Sequence, residues 1–455
     1  MRIVASLALL ALACGNTDDV DPQVPIRIEI GGQLTCVIEA AASPDAGVDA
    51  AMDAGTDVGM TDAGMTDVGM VDVGMTDAGM VDVGMVDVGM SDVGMPDSGM
   101  PDTGAPDAGG VDDGELDPLI RPVCWSIGET PQRLNLSRPL RGRIFLGDPL
   151  CNVADGELHC FGFNQYGQVG NGTEDPVIAL TRIVTRPVVG LAVNRYPGEG
   201  FTCALFNDGS VSCWGFGEAG QLGNGGLDNQ NMPTRVIGIT DAYLITSGSA
   251  HACVATADEE AGTTAIRCWG SGSRGQLGDG TTNDSPSPVT VNTSAPDDAP
   301  RLEAPVHLTA GAFHTCALDV DGEVWCWGWG DGGQIGDGSR VDRPRPTRVS
   351  FASLVEEGEP EPIATALAAG GNHNCALLDG GQVVCWGQND KLQTGVRGGE
   401  AILSPTLVLE DGTFVAAGTS HSCAIAAGRV QCWGEGPFLG TGGTGDTATP
   451  RTVNF

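Results

Sequence analysis

Short hydrophobic stretches interrupted by a polar turn recur in pairs along the chain beyond residue 145. Each pair begins and ends at a cysteine and has a turn containing Asp or Gly in its middle, as in residues 203–213 and 316–326. Two such stretches around a tight turn predict a β-hairpin. Six units follow one another with their second cysteines 47 to 59 residues apart, a spacing typical of β-propeller blades. We therefore predict an all-β fold in which residues 118–455 form a β-propeller with six clear blades.

The length of each turn fixes which residues face each other. In the unit 203–213 a three-residue loop ends at Gly209, which suits the left-handed third position and sets Cys203 opposite Cys213. The unit 151–160 has one residue fewer between its cysteines and a two-residue turn, so its cysteines face each other as well. Facing cysteines on a non-hydrogen-bonded site lie within disulfide range. We predict the disulfides Cys151–Cys160, Cys203–Cys213, Cys253–Cys268, Cys316–Cys326, Cys375–Cys385 and Cys423–Cys432.

Two of the remaining cysteines are candidates for a seventh pair. Cys124-Trp125 has the Cys-Trp ending of the repeat, and Cys36 follows a strand-like stretch at residues 26–30. Two interpretations stay open: a Cys36–Cys124 pair in a seventh blade that the acidic segment interrupts, or a region that only packs on the propeller. Zinc is the rival use of paired cysteines, but spacings of nine to fifteen residues differ from those of zinc sites. We predict no metal.

Residues 1–14 have the build of a secretory signal. Arg2 precedes an apolar run that is too short to span a bilayer and stops at Cys14. Residues 10–14 resemble a bacterial lipobox, in which the cysteine thiol is acylated after cleavage. We expect a lipoprotein anchored through Cys14 in the cell envelope, at the outer membrane or the cell surface, with plain secretion as the alternative. Residues 15–43 then form a tether that includes one strand-like stretch.

Residues 44–117 form an acidic low-complexity segment. Units such as Thr-Asp-Val-Gly-Met repeat every four and then every five residues, with fourteen Asp and no aromatic residue between Asp45 and Asp107. A period of five matches neither a helix nor a strand, and repulsion between carboxylates favours an extended, solvated chain. We expect a disordered spacer, with a weak calcium-binding tract as the alternative.

The charge balance narrows the range of partners. The chain holds 59 Asp and Glu against 22 Lys and Arg, a formal net charge of −37, and Lys391 is its single lysine. Without a basic run, the electrostatic attraction that drives binding to nucleic acid or anionic lipid is missing. We expect no nucleic-acid partner and membrane contact only through the lipid anchor. Cysteine pairs at this density favour an oxidising compartment.

Glycine, tryptophan and histidine recur at fixed distances from the cysteines. Trp-Gly-x-x-x-x-Gly-Gln-Leu-Gly-x-Gly occupies residues 214–225 and 269–280, recurs with one Ile at 327–338, and Gly-x-x-His-x-Cys occupies 311–316. Together these motifs resemble the repeat of the regulator-of-chromosome-condensation family over about residues 145–455. The resemblance implies a seven-bladed β-propeller. The first unit departs from the motif with Phe161 in place of Trp, and the fifth with Leu392 in place of Gly.

Three further motifs have a structural interpretation beside a functional one. The histidines two residues before a cysteine are His251, His314, His373 and His421. We interpret them as imidazoles bonded within each blade rather than as a ring of metal ligands. Gly-x-Gly-x-x-Gly at residues 215–220, 270–275 and 328–333 recurs at one phase, which indicates blade turns rather than dinucleotide sites. Asp319 and Asp321 resemble the start of a calcium loop that lacks its bidentate acid.

The four variable residues after each Trp-Gly are candidates for partner contacts, because equivalent propeller loops gather on one face. Residue types common at binding hot spots occur there, and Lys391 adds a positive charge: Tyr166, Phe216, Arg274, Trp329 and Lys391. Ordinary exposed loops are the alternative.

No nucleophile, base and acid recur as a set, so we predict no enzyme and no cofactor. We predict a monomeric, non-enzymatic module that binds another protein or a polysaccharide at the cell envelope. Family resemblance also implies an alternative, guanine-nucleotide exchange on a small GTPase. The signal peptide and the cysteine pairs argue against that alternative.

Overall fold

The structure, a computed structural model, describes residues 143–454 except 195–199, 259–262, 294–300 and 357, and the backbone of six strands before residue 143. The acidic segment 44–117 and most of the predicted signal peptide, residues 1–14, lie outside the described residues. Within the part described, no helix is both long enough and apolar enough to cross a membrane.

The strands before residue 143 form one sheet. They are β1 (Cys14–Gly15), β2 (Arg27–Ile30), β3 (Thr35–Ala40), β4 (Leu119–Trp125), β5 (Gln132–Leu134) and β6 (Leu140–Arg141). Their order in the sheet is β1-β5-β4-β3-β2, with β6 paired to β4.

Six four-stranded antiparallel sheets follow, each with its strands adjacent in chain order, and each is one blade. Blade 1 has β7 (Arg143–Phe145), β8 (Leu150–Ala154), β9 (Glu157–Gly162) and β10 (Val177–Val184). Blade 2 has β11 (Val188–Val193), β12 (Phe201–Phe206), β13 (Val211–Gly215) and β14 (Gln230–Arg235). Blade 3 has β15 (Ala242–Ser247), β16 (His251–Asp258), β17 (Thr263–Gly270) and β18 (Ser285–Thr290).

The remaining blades repeat this plan. Blade 4 has β19 (Pro305–Ala310), β20 (His314–Asp319), β21 (Val324–Gly328) and β22 (Arg343–Val349). Blade 5 has β23 (Ala364–Ala369), β24 (His373–Leu378), β25 (Val383–Gln388) and β26 (Ala401–Leu409). Blade 6 has β27 (Gly412–Ala417), β28 (His421–Ala426), β29 (Arg429–Gly434) and β30 (Thr447–Thr452). Two short 3₁₀ helices, Ala352–Leu354 and Gly436–Phe438, lie in the described part. The first strands of the six blades line a central cavity of about 240 Å³.

The turn between the second and third strands sets the register of each blade. Asp155 and Gly156 have φ values of 50° and 76°, as a two-residue hairpin turn requires, and Cys151 is opposite Cys160. The three-residue loop of blade 2 gives the same result, with Cys203 opposite Cys213. Turn length and cysteine spacing therefore compensate each other, as predicted.

Six disulfides join the second and third strands of the six blades. Each has a Cα–Cα distance of 4.1 Å, and the pairs are those the turns predict: Cys151–Cys160, Cys203–Cys213, Cys253–Cys268, Cys316–Cys326, Cys375–Cys385 and Cys423–Cys432. Beside them the tryptophans that follow the second cysteines are fully buried: Trp214, Trp269, Trp327, Trp386 and Trp433. A chain with few aromatic residues thus buries these between its blades.

The sheet before residue 143 repeats the backbone pairing of a blade. Its register sets Cys36 opposite Cys124 and Thr35 opposite Trp125. Blade 2 has the same register, with Cys203 opposite Cys213 and Thr202 opposite Trp214. β2 lies beside β27 of blade 6, and β6 lies beside β8 of blade 1, so this sheet occupies the seventh place in the ring. The side chains of Cys14, Cys36 and Cys124 lie outside the described part, so acylation of Cys14 and the Cys36–Cys124 disulfide stay predictions.

Candidate binding face

The loop after the third strand of each blade reaches across to the next blade. In blades 2, 3 and 4 the main-chain carbonyl of the loop Gln accepts a hydrogen bond from the buried Trp Nε1 of the following blade, at 2.9 Å for Trp269 to Gln221 and 3.0 Å for Trp386 to Gln334. Gly223, at φ 62°, comes so close that an added Cβ would stand 2.8 Å from the Trp269 ring. Only glycine therefore fits where this loop packs on its neighbour.

Hydrogen bonds within the loop hold the fourth variable residue in place. The Gln side-chain oxygen accepts the backbone N–H of that residue, at 3.0 Å from Tyr166, 2.8 Å from Arg274 and 2.8 Å from Lys391. In blades 1, 2, 3 and 5 this bond fixes the main chain at the fourth variable residue, so the fold sets where that side chain leaves the loop. Leu392, with φ 62°, adopts the left-handed conformation of the glycine that it replaces.

The candidate residues meet in pairs across blade boundaries. The fourth variable residue of one loop contacts the first variable residue of the next. The Tyr166 and Phe216 rings are 5.0 Å apart and edge-on, Arg274 lies over Trp329 at 5.6 Å from its centroid, and Lys391 Nζ is 3.7 Å from Glu435 Oε1. Sequence reasoning missed Glu435, although its position as the first variable residue of the last unit gave the signal.

Pairing changes which of these side chains a partner can reach. Phe216 is only 8 % exposed, because Tyr166 covers it, so the expectation of an exposed residue does not hold at Phe216. The Arg274 side chain is 53 % exposed and the Lys391 side chain 41 %. Each cation has one carboxylate partner at 3.7 Å, Arg274 with Asp342 Oδ2 and Lys391 with Glu435 Oε1.

The junction of blades 3 and 4 adds an aromatic side chain that sequence reasoning missed. Phe313 is 38 % exposed, and its ring is 6.0 Å from Trp329 and nearly perpendicular to it. Asp342 on the same face uses Oδ1 to accept the Gly330 N–H at 2.9 Å. Equivalent caps support other loops, such as Gly272 N–H to Asp284 at 2.7 Å, so the main role of Asp342 is to hold the turn.

Three of the four in-phase histidines bond to the next blade, which corrects the expectation of a bond within each blade. The His251 Nε2 to Thr315 Oγ1 and His314 Nε2 to Asn374 Oδ1 distances are both 2.9 Å, and His373 Nε2 to Ser422 Oγ is 2.8 Å. The fourth histidine, His421, stacks on Phe438 of its own blade.

The acceptor groups fix the protonation of these rings. The Asn374 oxygen can only accept, so His314 donates from Nε2. The Ser422 hydroxyl donates to the Gln393 carbonyl at 2.8 Å, which leaves its lone pair for the Nε2 proton of His373. Burial lowers the pKa to about 3 for His251, His373 and His421 and to about 4 for His314. In the described part of the chain, no three His, Cys, Asp or Glu side chains are placed to hold a metal ion.

Two aspartates have raised pKa values because they are desolvated. Burial raises the pKa of Asp148, in the loop between β7 and β8, to about 6. Burial also raises the pKa of Asp319, whose Oδ1 accepts the Asp321 and Glu323 N–H groups at 3.1 and 2.9 Å and whose Oδ2 accepts Trp325 Nε1 at 3.0 Å. Both oxygens of Asp319 are therefore used within the hairpin of blade 4, which gives the calcium-like motif a structural role.

Sequence comparison places known repeats on these blades. A profile of the regulator of chromosome condensation (RCC1) repeat matches residues 208–255, 268–318 and 321–377, and a second profile of that repeat matches 306–334 and 364–393. The chain is 30 % identical over 252 residues to the E3 ubiquitin-protein ligase HERC2 of Homo sapiens, a match that covers 54 % of this chain and 5 % of HERC2. It is 28 % identical over 265 residues to the ultraviolet-B receptor UVR8 of Arabidopsis thaliana, covering 57 % of this chain and 55 % of UVR8. The chain thus matches only part of the length of either relative.

Structure comparison gives the same fold. Prp20p of Saccharomyces cerevisiae, a protein described with its binding properties to Gsp1p and histones, superimposes with a TM-score of 0.57 at 22 % identity. The match covers 71 % of this chain and 80 % of Prp20p. At this identity the likeness concerns the fold alone.

Proposed function

Because this chain belongs to the family of proteins with regulator of chromosome condensation (RCC1) repeats, we propose that its propeller is a protein-binding module. The partner contacts the face formed by the loops after the third strands, which we call the loop face. One observation carries the proposal: these loops have a common hydrogen-bonded frame, yet their variable side chains differ from blade to blade. A fixed frame with variable side chains suits recognition, since it places contact residues without disturbing the core.

The module is non-enzymatic in this proposal, and it works at the cell envelope as a lipoprotein anchored through Cys14. Six disulfides support an oxidising compartment, because such bonds are rare in reducing cytosol. Protein partners are favoured over polysaccharides because RCC1-type propellers such as Prp20p are described as binding proteins. The exchange-factor alternative is supported by family resemblance alone.

Site-specific photo-crosslinking in the native host tests the binding face. A photoreactive amino acid replaces exposed Ser273 or Asp331 on the loop face, and the matched controls carry it at exposed Val320 or Asp379 at the hairpin turns. We expect a discrete protein adduct from the loop-face positions alone. Adducts from the hairpin turns alone, or none from the loop face, would contradict the proposal, and a loop-face adduct containing only glycan would favour the polysaccharide alternative.

Intact mass of the protein from its native host tests the location. With thiol alkylation before and after reduction, we expect no labelling before reduction, labelling of fourteen cysteines afterwards, and the mass of a diacylglyceryl group on Cys14. Free thiols on an unprocessed chain would contradict the envelope proposal and make nucleotide exchange the next activity to assay.

A further inference from the structure

The junction of blades 3 and 4 carries a surface that the repeat itself does not require. Arg274, Phe313 and Trp329 form this surface, which we call the 3/4 patch. Phe313 stands three residues before the first cysteine of blade 4, where blades 3, 5 and 6 have Ala250, Asn372 and Ser420. A small or polar side chain therefore suffices at this position, and an exposed phenyl ring there has no role in closing the blade.

The guanidinium of Arg274 has free hydrogen-bonding capacity. It stacks on Trp329 and makes no side-chain hydrogen bond within the described residues, and its ion-pair partner Asp342, at 3.7 Å, already holds the Gly330 N–H. The equivalent pair of blades 5 and 6 is Lys391 with Glu435, an ion pair at the same 3.7 Å that includes no aromatic ring. At blades 1 and 2, Tyr166 covers Phe216. Among these three junctions, only the 3/4 patch combines an exposed aromatic ring, Phe313, with an arginine whose side chain makes no hydrogen bond within the described residues.

We infer that the 3/4 patch binds an acidic peptide segment of a partner protein. A carboxylate of the segment pairs with the guanidinium edge of Arg274, and a neighbouring apolar side chain packs against Phe313 and Trp329. Arginine suits this role because its planar fork accommodates a carboxylate bidentately. Arginine beside tryptophan is also the composition of binding hot spots.

The geometry favours a peptide over a sugar at this patch. A sugar ring stacks on an open aromatic face, but Arg274 covers one face of Trp329 and Phe313 meets that ring edge-on. The inference rests on the proposed function and specifies the chemistry of the partner.

A peptide selection tests the inference without knowledge of the partner. A phage library of random dodecapeptides is selected on the purified, oxidised full chain and, in parallel, on the R274A/F313A double variant. We expect the wild-type chain to enrich peptides with Asp or Glu next to an aromatic or branched residue, and the double variant to enrich none of them. No enrichment, or enrichment without an acidic residue, overturns the inference.

Affinities of the best synthetic peptide then assign the contacts. We expect Arg274→Ala and Phe313→Ala each to weaken binding by about tenfold, as removal of a hot-spot residue does. Arg274→Lys keeps the charge but loses the fork, so it gives an intermediate loss. The matched controls Arg429→Ala and Val320→Ala remove an exposed arginine and an exposed valine at the hairpin turns and leave the affinity unchanged. Equal affinities for all variants overturn the inference.

The two proposals fail in different ways. A partner protein that crosslinks at Ser273 but binds the R274A/F313A variant as well as the wild type overturns the 3/4 patch and leaves the binding module intact. Absence of any loop-face crosslink to a protein overturns the binding module itself. All these substitutions change exposed side chains, and an unchanged thermal midpoint of the variants shows that their folding is intact.

Discussion

Two blade junctions fill the same buried position with different side chains. The junction of blades 4 and 5 uses a hydrogen-bonded polar pair, and the junction of blades 2 and 3 uses an apolar pair. At blades 4 and 5, His314 bonds to Asn374, and the Asn374 amide donates to the Gln334 carbonyl at 2.8 Å. At blades 2 and 3, Phe201 occupies the histidine position and Ala252 the asparagine position. Both are fully buried in one apolar cluster. At these two junctions the histidine is thus present where the next blade supplies a polar partner and replaced by an apolar residue where it does not.

This comparison gives the in-phase histidines a structural role. An imidazole buried between blades needs a hydrogen-bond partner, since an unpaired buried polar group costs free energy. Three of these rings use Nε2 for that purpose. The repeated position is therefore a structural joint, and the variable residues of the loop face are the better place to look for function.

The largest loss of stability is expected when the apolar residue of one kind of junction is placed in the polar junction of the other kind. His314→Phe leaves the buried oxygen of Asn374 without its donor and forces a larger ring against Gly311, so the free energy of unfolding falls by about 3 kcal/mol. Guanidinium unfolding of the oxidised protein measures it. The double variant H314F/N374A copies the apolar junction, and we expect it to recover more than half of the loss. Strictly additive losses would show that the two residues are not coupled.

A slightly smaller effect is expected from one disulfide. Cys375→Ala with Cys385→Ala opens a loop of about ten residues, which lowers the free energy of unfolding by about 2–3 kcal/mol. The matched pair Cys203→Ala with Cys213→Ala in blade 2 should lose a similar amount, because each disulfide acts within its blade. A much larger loss in one of the two blades would link the disulfide to the type of junction.

The next effect is on the pH dependence of stability, which we expect a substitution at a histidine junction to change and a substitution at the apolar junction to leave unchanged. In the unfolded chain histidine binds a proton below about pH 6.5, whereas the pKa of folded His373 is about 3. Stability is therefore complete above pH 6.5 and falls as the pH drops toward 3. The free energy of unfolding of His373→Gln, measured by guanidinium unfolding at several pH values, should depend less on pH in this range, by about 1.4 kcal/mol per pH unit. Phe201→Leu should keep the wild-type slope, and an equal slope in the His373 variant would contradict the assignment.

The smallest effects are expected on the loop face. Tyr166→Ala removes an edge-to-face pair and lowers the free energy of unfolding by about 1 kcal/mol. Arg274→Ala removes a weak exposed ion pair and changes it by less than about 0.5 kcal/mol. Urea unfolding of both variants measures the difference. A large loss for Arg274→Ala would mean that the 3/4 patch serves stability rather than binding.

The sequence predicted the blades well because their signals are local. Turn length, cysteine spacing and the Trp-Gly ending lie within about fifteen residues of each other, and a hairpin register follows from them by counting. The pairs on the loop face could not be derived in this way, because Arg274 and Trp329 are joined only by the packing of one blade on the next. The role of Phe313 could not be predicted for a related reason. Phe313 lies in a different loop from Trp329, and only the fold brings the two rings into contact.

The place of β2 beside β27 has a consequence for synthesis. Each hairpin can form as soon as its own two strands leave the ribosome, because it pairs neighbours along the chain. β2 is made near the start and must wait for β27, which follows only after five complete blades. Contacts between such distant segments form slowly, so the ring stays open for most of translation. We therefore expect a nascent chain stalled before residue 412 to have formed its first five blades but not the contact between β2 and β27 that closes the ring.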